Sequence, residues 1–205
     1  MEDIAKKEYW EKIYSSKQSN EVSWFQIYPK TSMEFTELFE LPKNAKIIDI
    51  GGGDGHFVDS LIEKGYLDIT VLDISANAIE RAKKRLGEKS TLVKWIECDV
   101  TEFVSDVQYD FWHDRAAFHF LTSEEHADKY VEIAKRGIKK EGYLILGTFS
   151  ETGPKKCSGL DIKQYSEATI SSKFEKYFTR IKCMNEEHQT PFNTTQNFLF
   201  CSFKK

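Results

Sequence analysis

No apolar run in this 205-residue sequence approaches the roughly 20 residues a membrane-spanning helix requires. Cysteine is scarce, with four in the chain. Cys98, Cys157, Cys183 and Cys201 are widely spaced and form no C-x-x-C pair, which argues against a zinc ribbon or a secreted disulfide framework. Free buried thiols are therefore expected, with Cys157 placed in an exposed loop. No two histidines stand at metal-ligand spacing on a predicted helix, so no metal is expected. Positive charge is not in excess either. Lys and Arg total 29 against 33 Asp and Glu, a net charge of -4, which gives no overall pull toward nucleic acid. The first residues, Met1 to Lys7, lack an apolar signal core and include acids unlike an Arg-rich transit peptide, and the expectation is a cytoplasmic protein.

What is present suits one globular domain: 40% hydrophobic and 30% charged residues at a length that can bury a single core. From Ala45 onward, short apolar runs alternate with amphipathic helical patterns, as in successive β-α units of a doubly wound α/β/α sandwich. Strands are predicted over Ala45 to Ile50, Asp68 to Leu72, Leu92 to Cys98, Tyr109 to His113 and Tyr143 to Phe149. Helices are predicted over Asp54 to Lys64, from Ser75 through Leu86, after the capping box Thr122-Ser123-Glu124-Glu125, and over Ser166 to Phe174. The stretch from Thr101 to Asp106 is too short for a crossover helix of ordinary length. Two final strands, Phe178 to Met184 and Asn197 to Phe203, leave no room for a crossover between them. The last one must therefore run antiparallel, inserted into the sheet as a hairpin arm.

Residues 1–44 form an aromatic-rich extension expected to pack on the 45–205 core as a lid. Trp10, Ile13 and Tyr14 stand at helical spacing, Trp24, Phe25 and Tyr28 follow, and Thr31-Ser32-Met33-Glu34 reads as a second capping box. The loop from Ser150 to Tyr165 is long enough to be functional.

The chemistry concentrates at strand ends. Asp49-Ile50-Gly51-Gly52-Gly53-Asp54-Gly55 ends a strand and turns directly into a helix, where glycines let the backbone approach a ligand without Cβ interference. Asp73 ends the next strand, where a carboxylate can accept hydrogen bonds from both hydroxyls of a ribose. Asp99 ends the third and could accept from an adenine amino group, with Ile74 and Val100 sandwiching the base. A nicotinamide fingerprint wants a third glycine where His56 stands, which disfavours NAD and an oxidoreductase. A cofactor-binding module that activates another enzyme would carry the same turn.

The Asp49-x-Gly51-x-Gly53-x-Gly55 pattern resembles the first motif of the class I S-adenosylmethionine-dependent methyltransferases. The resemblance continues through Asp73, Cys98-Asp99-Val100, Tyr109-Asp110, Lys140-Glu141-Gly142-Tyr143 and the antiparallel last strand. Trp10, Trp24 and Asp114-Arg115 are similar to small bacterial, thiopurine and protein-lysine branches. The resemblance implies a seven-stranded sheet and S-adenosylmethionine held by Gly51, Gly52, Gly53, Asp73, Ile74, Asp99 and Val100. Gly52 departs from the Cys or Ser often found between the first two glycines, a change expected to widen the turn slightly.

Methyl transfer from a sulfonium gains most from positioning, and from a base only if the nucleophile arrives protonated. The substrate side is expected in Trp112 to Phe120, with Asp114 orienting the cofactor's amino group or the nucleophile, Arg115 pairing with an anionic substrate group and His119 acting as a base. Each has a bland alternative: a structural Asp114-Arg115 ion pair, and half-buried, satisfied His113 and His119. Trp10, Tyr14, Trp24 and Tyr28 could cage a sulfonium or an ammonium by cation-π contact; Trp10 is expected in the core and Trp24 against the cofactor. His188 is ambiguous. No Asn/Asp-Pro-Pro-aromatic run and no Pro-Cys pair supports methylation of nucleic-acid bases, leaving a small molecule or a protein side chain as acceptor.

Overall fold

Parallel strands buried on both faces read as continuous apolar runs, and the first strand, Lys46–Ile50, is one: it lies at the centre of the sheet. The computed structural model describes residues 3–205, with side chains from residue 6, so the leader expectation for Met1 to Lys7 lies partly outside the described residues. In chain order the elements are α1 (Asp3–Ser16), α2 (Lys30–Leu38), β1 (Lys46–Ile50), α3 (Phe57–Glu63), β2 (Asp68–Asp73), α4 (Ala76–Leu86), β3 (Val93–Glu97), β4 (Tyr109–Arg115), α5 (Glu124–Gly137), β5 (Ile138–Phe149), β6 (Lys156–Cys157), β7 (Leu160–Asp161), α6 (Glu167–Phe174), β8 (Thr179–Gln189) and β9 (Thr195–Lys204).

Seven strands form one sheet in the order β3-β2-β1-β4-β5-β9-β8. The first five run parallel, and β9 inserts antiparallel between β5 and β8, as the missing crossover requires. Two apolar layers cover the sheet. One joins Ile48, Trp112, Leu144 and Phe203 to Tyr130 of α5 and Phe174 of α6; the other joins Ile47, Phe111, Ile145 and Phe200 to Phe35 of α2 and Leu61 of α3. Alternation along β4 thus sends Phe111 and Trp112 to opposite faces.

Several boundaries differ from the sequence reading for local reasons. Helix α3 starts at Phe57 rather than Asp54, because the turn is held by salt bridges from Arg81 and Arg85 to Asp54. Helix α2 starts at Lys30, ahead of the expected Thr31 box, and Ser32 is drawn inside to bond His113. In α5 the cap is Ser123, one residue later than Thr122, and its hydroxyl accepts from the His126 N–H. Between β3 and β4 there is only a single 3-10 turn, Val100–Glu102.

The thiol expectations need two corrections. Cys183 and Cys201 face each other across β8 and β9 and form a disulfide, and Cys157 is buried rather than exposed. The disulfide joins residues 18 apart. For a loop of that size, reduction should lower unfolding stability by about 3 kcal/mol, measurable by urea titration with and without dithiothreitol.

Candidate functional site

The C-terminal ends of β1 to β4 meet at one cavity along the sheet edge. Its wall over β2 and β3 is Asp73, Ile74, Cys98, Asp99 and Val100. Over β1 and β4 it continues through Ile50, Gly51, Arg115, Ala116 and Ala117. This is where ligands bind in open α/β sheets, at the reversal of strand order. Six of the eight cofactor candidates, Gly51, Asp73, Ile74, Asp99, Val100 and Trp24, line it, while Gly52 lines a neighbouring cavity and Gly53 lines neither.

The turn after β1 is shaped by two carboxylates. A Cβ on Gly53, whose φ is +39°, would stand 2.7 Å from Oδ2 of Asp73, so glycine leaves that oxygen room to meet a ligand. A Cβ on Gly52 would stand 2.5 Å from Oδ2 of Asp49 and 2.9 Å from Val71 Cγ1. Asp49 is fixed there because its Oδ1 bonds His113 Nδ1 at 2.6 Å, and His113 Nε2 lies 2.8 Å from Ser32 Oγ. Gly52 is therefore not a slack version of the usual Cys or Ser but the residue that this buried Ser-His-Asp relay demands. Gly52→Ser should cost about 1–3 kcal/mol of stability by overpacking, read as a lowered denaturation midpoint.

Asp73 is buried, and Oδ1 accepts from the Ser75 N–H at 2.8 Å. Burial pushes its carboxyl up to about 7, against the opposing pull of that N–H. Asp99 is pinned differently: Oδ1 accepts from the Thr101 N–H and hydroxyl, both at 2.8 Å. Lys6 of α1 stands 4.0 Å from Oδ2 of Asp99.

The N-terminal segment covers the cavity. Glu11 accepts from the Ala76 and Asn77 N–H groups at the start of α4, a carboxylate at a helix N-terminus. Arg81 donates to the carbonyls of Tyr14 and Lys17, and Tyr9 donates its hydroxyl to the Ser158 carbonyl. Trp10, Tyr14, Trp24 and Phe120 consequently meet over the cavity, with Trp10 at 5.8 Å from Trp24 and 5.1 Å from Phe120 by ring centroid. Trp10 is thus a cavity wall and not the core residue its helical spacing suggested. Tyr28 stands apart, half exposed on an outer groove. His188 holds the Trp24 segment from below, through Ser23 O at 2.6 Å and Gln26 at 3.2 Å.

The residues expected to do chemistry divide. Asp114 is fully buried and does not line the cavity. Its carboxylate accepts from the Ala117 and Phe118 N–H groups and the Tyr130 hydroxyl, at 2.9, 3.1 and 2.8 Å. It anchors the turn after β4 and does not pair with Arg115. His119 is buried too and does not line the cavity, and burial, with Arg115 nearby, pushes it down to about 3. Arg115 does line the cavity, donating Nη1 to the Trp24 carbonyl and lying 4.7 Å over the Phe198 ring. Phe120, the last residue of the expected substrate-side segment, completes the wall with Leu121 and Cys157, and only Leu121 lay outside any expectation. The Cys157 thiol, carried in by the small β6-β7 hairpin, is pushed up to about 12 by burial.

Residues 47–142 match the family model described as a methyltransferase domain. The match shows a methyltransferase domain within the chain, running from β1 into the start of β5. The chain is 24% identical over 183 residues to the mouse eEF1A lysine and N-terminal methyltransferase, covering 89% of this chain and 24% of that protein. Against the malonyl-[acyl-carrier protein] O-methyltransferase of Anoxybacillus flavithermus it is 30% identical over 107 residues, 51% of this chain and 39% of that one. It thus spans about a quarter and two-fifths of the length of these relatives. The fold also matches the N-methyltransferase NodS of Bradyrhizobium japonicum, solved with S-adenosylhomocysteine, at a TM-score of 0.70 and 16% identity over 95% of this chain and 97% of that one. Among the described residues no group of side chains could hold a metal ion, and no helix is long and apolar enough to cross a membrane.

Proposed function

We propose that the chain binds S-adenosylmethionine along the strand ends and transfers its methyl group to a small acceptor held at the β4-β5 end of the same cavity. The carrying observation is that Asp73, Asp99 and Gly51 of the glycine turn border one continuous cavity in the order of the sheet, with room made at Gly53 for the Asp73 carboxylate. Asp73 accepts from the ribose hydroxyls, Asp99 and Val100 border the adenine, and the Gly51 to Gly53 backbone meets the methionyl portion. Bound there, the cofactor supplies an electrophilic methyl on a sulfonium.

Trp10, Tyr14, Trp24 and Phe120 face that sulfonium with aromatic rings, favouring the cation and excluding water. Residues 1–44 act as the lid, and α1 must move for the acceptor to enter. Of the groups near the acceptor end, Cys157 stays a thiol and His119 does not line the cavity. Catalysis is by positioning. The cofactor would supply both the methyl group and its own thioether leaving group, and the cavity residues would hold the acceptor in line with it.

A protein lysine is the second reading, favoured by the activity in the mouse relative's name. It would bring an ammonium toward a wall that already holds Arg115. Tritiated S-adenosylmethionine incubated with a cell extract and split by size separates the two: label in small molecules is expected, and label in protein alone supports lysine. Separate calorimetric titrations with S-adenosylmethionine and NAD test the cofactor, and binding of NAD alone would sink the assignment. A cytoplasmic site of action is part of the proposal, and there reducing conditions would hold Cys183 and Cys201 as thiols.

A further inference from the structure

Three buried donors near the C-terminal end of β4 are without partners: Nε and Nη2 of Arg115, which lines the cavity, and Nε2 of His119, which does not. Their arrangement is set by the fold. Arg115 ends β4 opposite Gly147 of β5 and lies over Phe198 of β9, while the His119 ring packs at 4.7 Å on Phe149, itself 4.6 Å from Phe198. His119 Nδ1 accepts from the Phe149 N–H at 3.4 Å, which puts the ring proton of the neutral imidazole on Nε2 and makes that nitrogen a donor. The cluster therefore offers N–H groups only.

No carboxylate forms an ion pair with Arg115 among the described residues. The acids that act on it, Glu186 and Asp49, do so from a distance; Glu186 is bonded by Gln26 and Asp49 by His113. The Cys157 thiol faces the guanidinium uncharged. Leaving a buried cation and a buried N–H unsatisfied costs several kcal/mol, which an anion supplied from outside would offset.

Sheet order says which ligand that is. Adenosine contacts lie over β2 and β3, and the methionyl portion lies over the turn after β1. The next position along the edge, over β4 and β5, belongs to the acceptor. Resting on the methyltransferase reading above, we infer that Arg115 forms a binding site for an anionic oxygen group of the acceptor, so the substrate is a small carboxylate-bearing molecule whose apolar body lies against Trp10, Trp24 and Phe120.

The test uses benzoate and phenylpropionate as probe anions, with benzamide and phenylpropionamide as neutral counterparts, titrated calorimetrically into the full chain with and without S-adenosylhomocysteine. At least one carboxylate should bind tenfold or more tightly than its amide. Arg115→Met should remove that preference, Arg115→Lys should restore part of it, and S-adenosylhomocysteine affinity should change less than threefold in both. Equal binding of acid and amide, or no binding of any probe, overturns the inference and leaves the donors to enclosed water. A tenfold loss of S-adenosylhomocysteine affinity in Arg115→Met, with the carboxylate preference intact, also overturns it by giving the guanidinium to the cofactor. If the wild-type chain binds no S-adenosylhomocysteine, the methyltransferase reading fails on its own, and the probe titrations of the unliganded chain still read the donor cluster.

Discussion

Asp73→Ala should weaken S-adenosylmethionine binding a hundredfold or more, about 3 kcal/mol. The carboxylate ends β2 with one oxygen committed to the Ser75 N–H and the other beside Gly53, where the proposed binding mode puts the ribose. Charge-assisted hydrogen bonds are each worth about 1.5–3 kcal/mol, and two hydroxyls are served by one group. The same substitution strips an acceptor from the buried Ser75 N–H, so some loss of stability accompanies it. Asp73→Asn separates the effects, because the amide oxygen can keep the Ser75 bond while the charge is lost. Calorimetric affinity and thermal midpoint measured together on both variants make the comparison. A folded Asp73→Ala protein with wild-type affinity would falsify the ribose assignment.

Binding should also depend on pH in a direction fixed by the same residue. Burial holds the free protein's Asp73 carboxyl up near 7, so at pH 6 most molecules carry it protonated. Ribose hydroxyls donate to the ionised form, and the cofactor's net positive charge favours it further, so binding draws the pKa down and releases a proton. Affinity must then rise with pH through about 7 and level off above, falling toward tenfold per unit below. Asp73→Asn should flatten this dependence. Titrations in buffers of different ionisation enthalpy would detect the released proton directly.

The strand-end acids were legible in the sequence because position along a parallel strand is one-dimensional information: Asp73 and Asp99 each close an apolar run, and the fold brings such ends together. Facing direction was not legible to the same degree. Three consecutive polar residues, His113, Asp114 and Arg115, read as one cluster, yet strand alternation sends Asp114 to Tyr130 of α5 and its neighbours to the α2 face. Only Arg115 reaches the cavity that borders Asp73. The stripe of Trp10 and Tyr14 had the spacing of a core-facing helix, and a cavity-facing helix has the same spacing; the difference lies in what it covers. Cys183 and Cys201 meet because the β8-β9 register, set by the Thr190 to Thr194 turn, places them opposite each other. Gly52 was legible as a departure from the family but not as a necessity, since the crowding comes from Asp49, held in place by a histidine 64 residues away.

Asp114→Ala should destabilise the fold by about 3–5 kcal/mol, the largest stability change expected of any single residue near the site. Its carboxylate is fully buried and satisfies three donors at once: two backbone N–H groups of the turn after β4 and the Tyr130 hydroxyl, which in turn accepts from the Trp112 indole at 3.0 Å. Removing it orphans the two N–H groups and breaks a chain of polar contacts through the apolar layer formed by Trp112, Phe118 and Tyr130. Tyr130→Phe leaves the carboxylate its two N–H donors but orphans the Trp112 indole N–H, and should cost about 1–3 kcal/mol. Asp114→Asn, with an amide oxygen still available to the turn, should fall between the two. Urea titration orders the three. Cofactor affinity then decides the role: an anchor predicts that folded Asp114→Asn binds S-adenosylmethionine within threefold of wild type. A stable variant that binds normally but transfers no methyl would instead return Asp114 to the chemistry, a role its distance from the cavity wall argues against.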